Sequence, residues 1–422
     1  MSEQKWIDEA VKEFRKGCQE LQEKLANAAN GTLLDVSDEQ IMKNLEPLLK
    51  KVQQKAIQKA LEKAQIDPDY RRCNKCKKKM RHKGAKSFEF ITRQGNITLT
   101  GTYYHCSCSN SKSISNLVSS GRKFSHVANE LVTRYSAGSS YQQASRYLRK
   151  DFNIYVSHEM LRKRILAVSG QIRQIRDSGD KSRQFKNLAG QKLYGYADGV
   201  MINIRDEGWK ECKLLRYEDE RGKNICHRGL LGPISNFGRM ARREAITIGA
   251  SRADELVFLM DGAKGFHNHI KKNLPTAKQI MDYWHACQHI AECSEILYPD
   301  VSKSAEHWRT NYCHILREQG AEGLMSRLHK SKGRLCDDNK VQAVDKLLGF
   351  LRSRSQRMNY PELLAEGYRI DSGPIESSCK NVVQARMKCV GMRWSRIGAK
   401  SMLEVRCALL SDYWEDLMRK CA

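Results

Sequence analysis

Three carboxylates and four thiols are the residues of this 422-residue chain whose types and spacing could do chemistry. Asp198 lies in the strand-like run YADGV, where the flanking apolar residues predict burial and a lone carboxylate would be costly without a metal or partner. Asp261 ends the apolar run LVFLM, the usual exit of a central strand into a site. Glu376 follows Gly373-Pro374 at the start of a predicted helix, with Pro374 suited to the first turn. Carboxylates so placed can converge on a pair of divalent ions, which cleave phosphodiesters by activating the attacking oxygen and stabilising the leaving one. Each also has a plain structural reading: a turn residue before Gly199, a hairpin turn at Asp261-Gly262, a helix-start carboxylate favoured by the dipole.

The thiols are Cys73-x-x-Cys76 and Cys106-x-Cys108. Between them SFEFITRQGNITLTGTYYH alternates like a hairpin, with predicted strands from Ser87 to Thr92 and from Ile97 to Tyr104 and a turn signal at Gly95-Asn96. Two cysteine knuckles at the ends of a hairpin can bind one structural Zn2+ tetrahedrally, the geometry of a zinc ribbon; the alternative is scattered buried thiols. The stretch from Arg71 to Lys86 holds nine Lys and Arg and no acidic residue, which beside a zinc knuckle points to phosphate contact.

Charge generalises the point. Lys and Arg number 74 against 48 Asp and Glu, a formal charge of +26, while hydrophobic residues stay at 40%. That is a folded protein with a polyanionic partner, and nucleic acid is the expected one. No apolar run approaches the roughly 20 residues of a membrane span, and the opening MSEQKWIDEAVKEF lacks the pattern of a signal peptide, so a cytoplasmic protein with no membrane partner is expected. Fifteen cysteines in a chain of this length then read as reduced thiols rather than a disulfide scaffold.

These residues need elements to hold them. Helical spacing predicts two N-terminal helices, about 3–30 and 37–64, broken at Gly31-Thr32 and suited to an antiparallel pair. Between 124 and 184 a helical region contains a predicted tight pair, opened by Ser140 or Tyr141, bent at Asn153 to Ser157 and capped again by Ser157. It resembles a helix-turn-helix whose second helix offers His158, Arg162, Lys163 and Arg164 to phosphates or guanine edges. From about Gly190 the texture changes: strand-like runs 192–205 and 209–218, a third at 244–249, a helix-like SRADELV, a strand at 256–260, a helix at 264–273, a strand at 277–282 and a helix at 284–297. Antiparallel strands followed by strands alternating with helices is the order of an RNase H-like domain, here interrupted by a helical stretch at about 301–358. The expected fold is therefore multidomain α/β: an N-terminal helical region (1–68), a zinc-ribbon-like domain (69–122), a helical DNA-binding region (123–189) and a catalytic domain (190–422).

The motifs YADGV, VFLMDGAKGF, IMDYWHACQHIAE, SGPIESSCKNVVQARMK and GMRWSRIGAKSMLEVR resemble those of DDE transposases of the Kra insertion-sequence family and its mutator-like relatives. The resemblance runs from about Leu193 to Trp414 and matches Asp198, Asp261 and Glu376 to the catalytic triad. It implies a bacterial, nucleoid-associated enzyme holding two Mg2+, or Mn2+, that cleaves insertion-sequence ends and joins the freed 3′-hydroxyl to target DNA, working on duplex DNA as a homodimer or higher oligomer. Asp282 and His285 fall in the DxxH-like motif that follows the second aspartate, and a His285–His289 metal pair is a lesser possibility lacking a third ligand. Lys380, Arg386, Lys388, Arg393, Arg396 and Lys400 would grip the scissile strand, and Trp394 would stack on an unpaired base or else anchor the final helix. Two other outcomes fit the same fold: a domesticated descendant kept as a DNA-binding regulator, and a nuclease that does not transpose.

Overall fold

In a computed structural model of the chain, every residue is described except 1–2, 30–31, 115–117, 119–121, 180–182, 263, 300–302 and 422. Contacts divide it into two compact units, residues 1–164 and 165–421.

The first unit opens with α1 (Glu3–Ala26), α2 (Leu33–Gln40) and α3 (Glu46–Ile66). α1 and α3 run antiparallel: Lys51 pairs with Glu13 and Lys55 with Glu9, each at 3.6 Å, so a step of four forward on one helix is a step of four back on the other. The second helical run begins at Leu33, earlier than its spacing predicts, and widens into a π-type turn at Ile41–Leu45 before Pro47 opens α3. Gln54 and Gln58 of α3 donate to the Thr98 and Thr100 carbonyls, at 2.7 and 2.8 Å, and Leu61 packs with Phe90, Ile97, Leu99 and Ile114.

Those residues belong to a three-stranded antiparallel sheet of β1 (Arg81–Thr92), β2 (Gly95–His105) and β3 (Ser111–Lys112), in that order. The hairpin turns at Arg93-Gln94, since Thr92 pairs with Gly95. The expected turn at Gly95-Asn96 is displaced because Gly95 serves instead as the first residue of β2, at φ +104°, and a Cβ there would stand 2.8 Å from the Asn153 carbonyl oxygen. Asn96 then exchanges two 3.0 Å bonds with the Tyr155 backbone, docking the hairpin tip on the bend of a helical pair.

That pair is α5 (Tyr141–Phe152) and α6 (His158–Asp177), preceded by α4 (His126–Gly138). Ser140 and Gln143 form a capping box, Asn153 ends α5 in the left-handed region at φ +52°, and the Ser157 hydroxyl accepts from the Met160 amide at 3.2 Å. Both ends of the bend are thus local side-chain chemistry, as the sequence predicts. Ile91, Val132, Leu148, Ile154 and Leu161 form the core beneath.

The second unit is built on a five-stranded sheet of β4 (Lys192–Ile204), β5 (Gly208–Asp219), β6 (Cys226–Leu230), β7 (Glu255–Met260) and β8 (Lys278–Met281), ordered β6-β5-β4-β7-β8. β4, β5 and β6 are an antiparallel meander; β7 and β8 run parallel to β4. The third strand is thus Cys226–Leu230, and the run expected as a strand at 244–249 is instead the end of α7 (Phe237–Ile248). Ile246, Thr247 and Ile248 are β-formers locally, but Phe237, Ala241, Ala245 and Ile248 share a helical stripe buried on the sheet, and Gly249 caps the helix at φ +77°. Tertiary burial overrides the local preference. Gly195 lets the Phe258 ring, 2.7 Å from where its Cβ would stand, lie across the centre of the sheet.

Beyond β7 come α8 (Lys264–Asn273) and α9 (Tyr283–Leu297), and then the helical stretch α10 (Lys303–Lys332), broken at Gly320 with φ +67°, and α11 (Asp338–Arg352). α12 (Tyr360–Ala365) leads back to α13 (Gly373–Ser378), which continues through a π-type stretch, Cys379–Gln384, and packs on β4 and β5. α14 (Arg396–Leu409) and α15 (Trp414–Lys420) close the unit. No helix among the described residues is long and apolar enough to cross a membrane.

Candidate active site and metal centre

The parallel register of β4 and β7 ends at Ala197 opposite Met260, so the next residues on the two strands are Asp198 and Asp261. Neighbouring strands lie about 4.8 Å apart, so the two carboxylates leave adjacent strands side by side. Both are half-buried. Asp198 accepts from the Gly199 amide at 2.6 Å and, through its other oxygen, from the Cys379 thiol at 3.3 Å. Glu376 is exposed, on the first turns of α13, three residues before Cys379 and so on the same helical face. Burial pushes the Cys379 thiol well above its ordinary range, and the charges of Asp198 and Glu376 add to the effect. Asp198 and Glu376 therefore both bear on one thiol, but the three carboxylates do not close on each other, since the four cysteines alone among the described residues bring three or more ligating atoms within 4.8 Å.

The Glu376 helix is held by a buried polar network. Glu218, 1% exposed, accepts from Arg216 Nε at 2.7 Å, from Arg369 at 2.5 Å and from the Tyr196 hydroxyl at 3.1 Å. Arg216 reaches on to the Pro374 carbonyl and the Ser378 hydroxyl, at 3.4 and 3.2 Å, and His227 Nε2 meets the same hydroxyl at 2.9 Å. Removing either arginine leaves a buried carboxylate short of charge, a loss of about 3–5 kcal/mol when such pairs are broken. In the π-type stretch, where backbone hydrogen bonding is irregular, Arg406 donates to the Val382 carbonyl at 2.5 Å and also to that of Asn381.

Asp282, at the end of β8, is buried and engaged as a brace: it caps α9 through the Trp284 amide and accepts from the Ser372 hydroxyl at 2.7 Å, four residues before Glu376. Burial raises its pKa, and those hydrogen bonds work against the rise. His285 and His289 face each other edge to face, 5.2 Å between ring centres, but His289 bonds Glu292 at 3.1 Å and lies 4.0 Å from the Phe350 ring. The pair does not gather a third ligand among the described residues. On the Asp261 side stand two residues without any signal in the spacing, His267 and Arg354. His267 Nε2 sits 3.0 Å from the Asp261 carbonyl oxygen, and Arg354 donates to the Gly262 carbonyl at 2.8 Å. Cys379 had a usable signal in its spacing of three from Glu376; Arg354, 92 residues from Gly262, had none.

The basic residues divide sharply. Lys380, Lys388, Arg393 and Lys400 are exposed, and Arg396 is bound to Glu207 at 2.7 Å. Arg386, expected at the DNA, is buried instead, and Trp394 is buried as well, the anchoring outcome of the two expected for it. The arginine lies over the tryptophan ring at 5.1 Å, and the indole donates to the Met387 carbonyl at 3.0 Å, so Trp394 anchors the approach to α14. In the first unit, Arg162 is exposed and bidentate with Glu159, both bonds 2.7 Å, and Lys163 and His158 are exposed beside it. Arg164 points the other way: two residues on is about 200° around a helix, and its guanidinium binds Asn129 and lies over Phe124.

Cys73, Cys76, Cys106 and Cys108 come together at the base of the hairpin, with all four sulfurs within 4.8 Å of one another. Cys73–Cys108 is 3.6 Å and Cys76–Cys106 3.3 Å. Both are far longer than a disulfide and near the roughly 3.8 Å edge of a tetrahedron with metal–sulfur bonds of about 2.3 Å, so the cluster can hold a structural zinc. The Asn110 amide holds the Cys73 thiol down to about 6. Cys76, despite the Lys78 amide that favours its thiolate, is pushed up to about 11 by the neighbouring sulfurs. Four thiolates in one place require a cation.

No family model matches the chain, and neither does any curated protein. Among solved structures it is similar to the Drosophila P element transposase strand transfer complex, at 9% identity and a TM-score of 0.35, over 72% of this chain and 96% of that one. A likeness that low transfers no residue and no reaction.

Proposed function

We propose that the second unit is an RNase H-like catalytic domain with a helical insertion, and that the chain is a DNA transposase of the kind its motifs resemble. The observation that carries this is that Asp198 and Asp261 are the residues next after the point where the parallel register of β4 and β7 ends, with Glu376 on the helix that packs over the same sheet and whose Cys379 thiol bonds Asp198. The strand order, an antiparallel meander extended by two parallel strands, supports the fold. Asp198, Asp261 and Glu376 offer only carboxylate oxygens, a donor set suited to Mg2+ or Mn2+. Two such ions, when bound, would supply activation of water or of a DNA 3′-hydroxyl and stabilisation of the departing oxygen.

The chain's own residues bind, orient and position. Lys388, Arg393 and Lys400 are exposed and can meet phosphates, while the Glu218–Arg216–Ser378 network sets the angle of the Glu376 helix. In the first unit Arg162, Lys163 and His158 face outward on the second helix of a helix-turn-helix-like pair, where they can reach a groove of the transposon end. Ile7, Val11 and Phe14 form an exposed apolar stripe on α1, suited to a second protomer on the DNA.

The test is incubation of the purified chain with duplex DNA carrying the element's ends and Mg2+, reading cleavage and joining on a denaturing gel. Asp198→Asn, Asp261→Asn and Glu376→Gln should each reduce both steps by at least a hundredfold while leaving end binding intact. Undiminished cleavage by Asp198→Asn would overturn the assignment.

A further inference from the structure

On the flank of Asp261 away from Glu376 lies a cleft of about 770 Å³ that no role above uses. Three segments of the second unit line it: α8, the start of β8, and the turn after α11. From them come His267, Lys271, Lys278, Arg352, Arg354 and Arg357, together with neutral polar residues; no acidic side chain lines it. Collecting cations in a concave wall costs desolvation and mutual repulsion. Burial pulls the Arg354 and Arg357 guanidinium pKa values down, and Arg354 adds to the pull on Arg357. Lys278 is neutralised at the rim by Glu366 at 3.1 Å, whereas Lys271 and Arg352 project into solvent.

The cleft is also joined to the candidate active site by the backbone. Arg354 holds the Gly262 carbonyl and His267 contacts that of Asp261, so the wall of the cleft and the second carboxylate share one loop. A polyanion lying along this wall would pass directly by Asp261. Its volume and the lack of acidic side chains suit a run of phosphodiesters, which multiple weakly paired cations recognise by charge rather than by sequence.

We propose that this cleft binds the sugar-phosphate backbone of a DNA strand leaving the active site past Asp261, a second phosphate track separate from the basic residues around Glu376. The inference rests on the reading of the chain as acting on DNA. A free nucleoside triphosphate or inorganic phosphate shares the chemistry, and the experiment separates these sources.

The full chain and its Lys271→Glu/Arg352→Glu/Arg357→Glu variant are titrated with random-sequence duplex DNA over a range of salt. Loss of about three phosphate contacts should reduce the slope of log affinity against log salt by roughly 2–3 and weaken binding at least tenfold near 0.15 M salt. A Gln triple variant covers the event that charge reversal prevents folding, with half the loss or more expected. In the parent protein, the same DNA should protect Lys271 from acetylation, read by mass spectrometry, and ATP or phosphate at millimolar concentration should not. An unchanged slope, an unprotected Lys271, or protection by ATP or phosphate without DNA would each overturn the proposal. If the variant keeps the parent slope while Asp198→Asn abolishes cleavage, the cleft assignment falls and the function stands. If the parent does not bind DNA, both fall. If the slope drops but Asp198→Asn still cleaves, only the active-site reading falls.

Discussion

The most exposed point of the candidate site is chemical rather than positional: Glu376 is free in solvent, while everything that aims it is buried. His227 is the clearest case. Burial, with Arg216 beside it, pushes its pKa down to about 3, so the folded protein holds it neutral against the Ser378 hydroxyl. Unfolding restores the ordinary value near 6.5, so between about 6.5 and about 3 the unfolded chain binds one more proton than the folded one. The contribution is fully present above 6.5 and is lost as pH falls, at about 1.4 kcal/mol per pH unit. His227→Gln should lack that slope, so the difference between parent and variant unfolding free energies should change by about 1.4 kcal/mol per pH unit below about 6.5 in urea denaturation from pH 7 to pH 4. A pH-independent difference would show that His227 is not held neutral.

At the scale of elements, the ribbon is the piece with least core of its own: a two-residue β3, a long hairpin and a small cluster of Met80, Tyr104 and the cysteines. Its base should therefore depend on metal. Replacing Cys73, Cys76, Cys106 and Cys108 by Ser should abolish one equivalent of bound zinc, measured by atomic emission on the purified protein. Chelation of the parent should loosen the strand ends at Arg81 and His105 in hydrogen exchange while sparing the hairpin tip, which Asn96 ties to the Tyr155 backbone. Equal zinc in parent and variant would remove the site.

Across the whole molecule, basic surfaces of two kinds would serve different needs. A surface that grips phosphates lowers affinity for every DNA when damaged, whereas a surface that reads bases lowers discrimination. Arg162→Ala should cost roughly ten- to a hundredfold in preference for the element's end over random DNA if the side chain meets a guanine edge, with little change in affinity for random DNA. Lys388→Ala should weaken binding to both alike. Arg164→Ala, because its guanidinium is spent on Asn129 and Phe124, should lower the melting temperature of the protein and leave discrimination in the folded fraction unchanged. Fluorescence anisotropy with both DNAs at one salt concentration reads all three, and a loss of preference in Arg164→Ala at full stability would contradict the orientation of α6.

Local chemistry was legible from the residues alone. The helix start at Ser140 or Tyr141, the bend at Asn153 to Ser157, the cysteine spacing and the strand-like runs of β4 and β5 each depend on neighbours within a few positions, and the elements they predict are present. Asp198 and Asp261 could be placed on strand runs for the same reason. What only the tertiary structure decided involves partners far along the chain. Residues 244–248 finish a helix because one stripe of α7 is buried on the sheet, and the strand they resembled is supplied by Cys226–Leu230, where the lack of a side chain on Gly229 admits Leu403. Charge type in the sequence did not separate Arg162 from Arg164, or Arg386 from Lys388. Those distinctions follow from which face of each helix the rest of the fold covers, and a guanidinium of the same type is packed against neighbours on one face and left exposed on the other.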